Sequence, residues 1–134
     1  MKKALIFLTA ALPMTSQAQL SQIDMSDKEI LTFLSGNTIG AHDWGIEGSF
    51  EYHGPEGEAI WREGEDLQIG VYNVKDSQVC YSYEDSPGAV DEDWYCWTFR
   101  KDRRTGEVYQ WGEFDDFYRL YILGEGDLVS NPQE

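Results

Sequence analysis

Two hydrophobic periods divide the chain, and they change over at Gly36. Before it, Ile30, Leu31, Phe33 and Leu34 form a helical apolar stripe. Ser26-Asp27-Lys28-Glu29 precedes that stripe as a capping box, with Ser26 as N-cap and Glu29 reaching back. Gly36 is a natural C-terminal stop, so the spacing predicts one short helix. Gln19–Met25 reads as a short leader in front of it.

After Gly36 the apolar positions alternate, which predicts strands. Thr38–Ala41 is a first candidate. In Ser49–His53, Phe50 and Tyr52 share one face, and Ser49, Glu51 and His53 the other. Gly54-Pro55-Glu56-Gly57 is turn chemistry, with Glu58–Arg62 as the return strand. Leu67, Ile69 and Val71 then alternate with Gln68, Gly70 and Tyr72 before Lys75-Asp76 reverses the chain into Gln78–Glu84.

The next hairpin carries both cysteines. Val79, Tyr81 and Tyr83 oppose Cys80, Ser82 and Glu84 across one strand, and Tyr95, Trp97 and Phe99 oppose Cys96, Thr98 and Arg100 across the other. If Cys80 lies beside Cys96, Tyr81 falls beside Tyr95 and Val79 beside Trp97, pairs that favour sheet association. The sulfurs and the apolar pattern select one register. Asp102–Gly106 makes another turn, and Glu107–Trp111 and Asp116–Leu123 are the last strands. The final strand is apolar on both faces, so both need covering, and the helix is the expected cover for one.

About eight short antiparallel strands with hairpin links predict an all-β up-and-down barrel or strongly curved sheet with one N-terminal helix. Residues 1–18 are expected to be a signal peptide: Lys2 and Lys3, a short apolar run over Ala4–Leu12, Pro13, then small residues at Ser16-Gln17-Ala18. No cysteine follows the cut, which argues against a lipid anchor. Residues 19–127 then make one domain and 128–134 a flexible tail, in a periplasmic or secreted protein. Removing residues 1–18 leaves 116 of the 134 residues, with 8 basic against 25 acidic side chains and a formal charge of −17. That charge repels nucleic acid and anionic lipid and suits either solubility or a cationic partner. An aromatic content of 14 % supplies a core and argues against disorder. In an exported chain, Cys80 and Cys96 read as a structural disulfide; their spacing fits neither a redox C-x-x-C nor a zinc site.

Gly70-Val71-Tyr72-Asn73-Val74, Val79-Cys80-Tyr81 and Tyr95-Cys96 resemble short uncharacterised secreted β-domain proteins of proteobacteria, over roughly Leu34–Gly126. More distantly, the architecture is similar to small calycin-like barrels, which include lipocalins and bacterial protease inhibitors. The lipocalin G-x-W motif does not follow the helix; Asp43-Trp44-Gly45 stands there instead. The resemblance implies a barrel and supplies no catalytic residues.

Candidate chemistry is sparse. His42 and His53 lie near Asp43 and Glu51, a donor set that suits zinc or copper, but no ligating spacing joins them and both read as exposed loop residues. Glu84–Asp93 holds five carboxylates in ten residues, either a calcium loop without EF-hand spacing or an acidic turn. Arg100, Lys101, Arg103 and Arg104 lie one strand length away, about 20 Å, as a docking patch or a solvated turn. Tyr52, Trp61, Tyr81, Trp97 and Trp111, with Arg119 or Arg62, are the candidate ligand-binding residues; core filling explains the same rings. No nucleophile elbow, phosphate loop or dinucleotide motif is present. No cofactor and no metal are expected.

The expected function is a non-enzymatic exported module binding a small apolar or aromatic ligand or a protein partner, such as a cationic protein. The alternatives are an inhibitor acting through the rim loop Ser86–Asp93, and a small hydrolase or isomerase using His42, Asp43 or His53.

Overall fold

The computed structural model describes residues 21–42, 49–84 and 94–130. Nine strands and one helix follow in order: β1 (Gln22–Asp24), α1 (Asp27–Leu34), β2 (Asn37–Ala41), β3 (Phe50–His53), β4 (Glu58–Glu63), β5 (Asp66–Lys75), β6 (Gln78–Tyr83), β7 (Tyr95–Asp102), β8 (Val108–Trp111) and β9 (Phe117–Glu125). Strands β2 to β9 pair antiparallel in sequence order, and β9 returns to β2, closing an eight-stranded barrel compatible with a calycin-like small barrel. The short segment read as a leader supplies the ninth strand. β1 pairs with Arg100–Asp102, on the stretch of β7's edge that β6 leaves free beyond Thr98.

The helix forms where its caps place it. Ser26 Oγ accepts from the Glu29 amide, and the Glu29 carboxylate accepts from the Ser26 amide. Gly36 turns the chain at φ +79°, where a side chain would be strained. The helix packs inside the barrel, where Leu120 of the last strand shares its core cluster. Its Ile30 and Leu34, fully buried, point into one end of the barrel among Ile39, Tyr72, Val79, Phe99, Val108 and Leu120. Each such side chain contributes about 1.5–3 kcal/mol through burial. Asp27 holds the plug in place by accepting from the Asp76 and Ser77 amides of the β5–β6 turn, and Glu29 pairs with Lys101. The outer side of the last strand stays largely open, with Phe117 and Leu123 exposed, while its Tyr121 ring lies over Gly40 of β2 and Leu128 approaches Gly124.

The disulfide hairpin has the register the aromatic pattern predicts. Cys80 pairs with Cys96, Tyr81 with Tyr95 and Val79 with Trp97, and the two sulfurs are bonded. Both cysteines face away from the barrel interior, which receives Val79, Tyr81, Trp97 and Phe99.

In β5 the interior takes Gly70, Tyr72 and Val74, whereas Leu67, Ile69 and Val71 are exposed on the outer face. Gly70 permits this, because a Cβ there would collide with the backbone of Ser82 and Tyr83 where β5 and β6 close up. After β9 the chain packs down as far as Ser130. Val129 is fully buried, its carbonyl accepts from Arg62 Nε at 2.7 Å, and the Leu128 amide donates to Thr38 Oγ1 at 3.0 Å.

Replacing both Cys80 and Cys96 by Ser should lower unfolding free energy by about 3 kcal/mol, the loop-closure value for a bridge of this span. Urea denaturation of oxidised wild type against the double variant measures it. A difference below 1 kcal/mol in the same series would show that the bridge adds little.

Candidate functional site

The barrel interior has two levels, and the inward faces of the strands decide what each contains. Near the helix the inward residues are apolar: Ile39, Val79, Phe99, Val108 and Leu120. Toward the opposite end the same faces carry Glu51 from β3, Trp61 from β4, Gln68 from β5, Tyr81 and Tyr83 from β6, Tyr95 and Trp97 from β7, Gln110 from β8 and Tyr118 from β9. These surround an open cavity of about 460 Å³. That volume falls within the range of small-molecule sites, and eight strands leave room for one small ligand. Trp97 meets Tyr118 edge-on at 6.0 Å, and Tyr81 stacks on Tyr83 at 6.1 Å.

A hydrogen-bonded cluster closes the floor. His53 Nε2 lies 2.8 Å from the Tyr81 hydroxyl and 3.5 Å from Glu51 Oε1, and Tyr81 also reaches the Glu51 carboxyl. Tyr72 sets its ring edge-on to His53 at 5.0 Å and donates its hydroxyl to the Gly54 carbonyl at 2.8 Å. The strand pleat explains the arrangement: Glu51 and His53 are two apart on one face of β3, and Tyr81 sits on the register partner of Tyr72.

Burial sets the charge of this cluster. Desolvation pushes the Glu51 carboxyl up to about 8, against which its hydrogen bond from Tyr81 works only weakly. Desolvation also drives His53 down to about 3, and it raises Tyr81 well above the ordinary phenol range. At neutral pH all three are therefore uncharged, and the 3.5 Å contact between Glu51 and His53 is not an ion pair. His53 Nδ1 has no hydrogen-bond partner among the described residues. The assignment that leaves a bare lone pair there, rather than an orphan N–H, has Nε2–H donating to Tyr81 and Tyr81 donating to Glu51.

Of the residues singled out from the sequence, Trp61, Tyr81 and Trp97 line this cavity. Tyr52, Trp111 and Arg119 are not part of it. Tyr52 alternates outward from Glu51 and His53. Trp111 stacks on Phe117 at 4.5 Å, lies 5.3 Å from the Arg100 guanidinium and donates to Gln22, beside an outer recess of about 440 Å³ that also holds Trp94 and Phe114. Arg119 donates to Glu107, and Arg62 is taken up by the Val129 and Gly64 carbonyls. The basic turn is likewise engaged: Arg100 pairs with Asp24, Lys101 with Glu29, and Arg104 lies 3.8 Å from Asp102.

The two histidines are not brought together. His42 is exposed against Tyr121, whereas His53 is 1 % exposed, contrary to the loop position expected from its neighbouring turn. Asn37 is the register partner of His53, so the two imidazoles sit at opposite ends of the β2–β3 ladder, about 16 Å apart at the usual rise. Asp43 and the rim loop Ser86–Asp93 lie outside the described residues, as do residues 1–18. Among the described residues no three His, Cys, Asp or Glu side chains converge as a metal site. Sequence reasoning placed Glu51 in a metal donor set rather than in a cavity, and missed Gln68, Tyr83, Gln110 and Tyr118 as lining residues. The signal was available for Glu51, which shares a face with His53 in a strand whose other face is aromatic. Comparison with protein families, with curated proteins and with solved structures finds no match for this chain.

Stability should carry the signature of the buried pair. Between pH 4.5 and 8 the folded chain keeps a proton on Glu51 that the unfolded chain has released, so stability falls as pH rises through that window. Between pH 3 and 6.5 the unfolded chain holds a proton that folded His53 does not, so stability rises with pH there. The slopes oppose each other from 4.5 to 6.5, and Glu51 acts alone from 6.5 to 8. Urea unfolding at intervals of one pH unit should show wild type weakening from pH 6.5 to 8 and Glu51→Gln holding steady. Parallel curves would exclude the assigned protonation.

Proposed function

We propose that this protein is an exported binding module that takes a small molecule into the open end of its barrel. The observation that carries the reading is the cavity itself. A barrel of this size can be filled solid, yet here the rings on the inward faces stand around about 460 Å³ and leave a carboxyl and two carboxamides at the wall. A few convergent polar groups among aromatic walls are what a small-molecule site needs, the rings for contact area and the polar groups for orientation. The Cys80–Cys96 bridge supports an oxidising compartment, periplasmic or extracellular, and among the described residues no helix is long and apolar enough to cross a membrane.

The exposed aromatics at the mouth favour a second reading. Phe114 is 85 % exposed and Tyr95 57 %, with Trp94 beside them, a surface on which a protein partner would find apolar anchors.

Intrinsic tryptophan fluorescence against a panel of small aromatic probes separates the two. The cavity reading expects saturable quenching, weakened at least tenfold by Trp97→Ala and unchanged by Trp111→Phe, since ten-fold is about 1.4 kcal/mol and well within the worth of one buried ring. No quenching by any probe, or equal loss in both variants, would count against it.

A further inference from the structure

The cavity wall discriminates by charge. Six of its nine described side chains are aromatic, two are carboxamides, and one is the Glu51 carboxyl. No lysine or arginine lines it among the described residues. Arg62 and Arg119, next in sequence to the cavity residues Trp61 and Tyr118, are turned outward and already bonded. An anionic ligand would meet a carboxyl and the electron-rich faces of rings, with no cation to receive it. The titratable groups facing Glu51 are His53 on its own strand, Tyr81 on β6, and Tyr83, Tyr95 and Tyr118 across the void. None of these supplies positive charge while His53 is neutral. Among the described residues, Glu51 is thus a buried acid with no counter-ion of its own, so one must arrive from outside.

Resting on the binding reading above, we propose that the cavity selects organic cations: an ammonium group, protonated or quaternary, on a compact apolar body, seated at the Glu51 carboxyl and enclosed by the rings of Trp61, Trp97 and the neighbouring tyrosines. Aromatic faces attract such cations, most strongly when water is excluded. The formal charge of −15 over the whole chain draws cations toward the molecule before contact. Seating the cation ionises the carboxyl, and its proton leaves to solvent; no other bond is made or broken. Affinity for a cation that does not itself titrate should then climb with pH, about tenfold per unit below the carboxyl's own midpoint, and level off above it.

Isothermal titration calorimetry of the full chain with benzyltrimethylammonium, its all-carbon analogue neopentylbenzene, and phenylacetate tests this. The cation is expected to bind at least tenfold tighter than the neutral analogue, with no detectable binding of the anion. Repeating the titration at pH 7 in two buffers of different ionisation enthalpy should count close to one proton released per cation bound. Affinity for the cation should rise about tenfold from pH 6 to 7, and Glu51→Gln should shrink the preference for cation over neutral analogue below threefold. Equal binding of cation and neutral analogue by wild type would overturn the charge selection and leave the cavity reading standing. Absence of binding by all three probes would overturn both.

Discussion

When β9 pairs with β2, the eight-stranded sheet loses both its edges and acquires an inside of fixed width. Every other feature is a consequence of how that inside is used. At one end the strands bring Ile39, Val79, Phe99 and Leu120 together, and the capped helix pushes Ile30 and Leu34 in among them. The helix is anchored from three directions, through its own capping box, through Asp27 on the β5–β6 turn and through Glu29 on Lys101. At the other end nothing comparable among the described residues fills the space, and the aromatic rings line it instead. Closure supplies a site because the filling stops halfway.

The boundary between the two levels is the polar cluster of Glu51, Tyr81 and His53. Burying a carboxyl and an imidazole costs the fold stability unless both shed their charge, and both do. An apolar pair of similar volume at these positions would make a steadier barrel. Groups that weaken a fold and sit at the bottom of a cavity are where function is most economically sought. The electrostatics outside point the same way. Arg100, Lys101 and Arg104 of β7 and its turn are paired with Asp24, Glu29 and Asp102, while the chain's excess of carboxylates is left over.

Local signals were the legible ones. The capping box at Ser26 and Glu29 reads directly from four residues and is present as read. The register at Cys80 and Cys96 was legible because two independent constraints, a covalent bridge and a row of cross-strand rings, agree on it. The fold class followed from strand count and spacing. Alternation, however, identifies two faces of a strand without saying which is inside. In β5 the branched side chains Leu67, Ile69 and Val71 look like the core face, but the barrel needed a glycine turned inward at residue 70 for β6 to approach, and that flips the strand. In β3 the same ambiguity hid Glu51 and His53, because a polar face is read as a wet face unless closure is already known. Trp111 and Arg119 looked like pocket residues by type alone; register places them outside, one over Phe117 and the other on Glu107. Long-range docking was invisible for the same reason: nothing near Val129 announces that Arg62 and Thr38 will hold it down.

The cavity floor holds a carboxyl that is uncharged at neutral pH and, among the described residues, free of any cationic neighbour. Carbon-13 NMR of the Glu51 side-chain carboxyl in selectively labelled protein, followed from pH 3 to 10, observes it directly. The expected titration midpoint is near 8, displaced downward when an organic cation is added. A midpoint near the ordinary 4.5, unmoved by such a ligand, would contradict it.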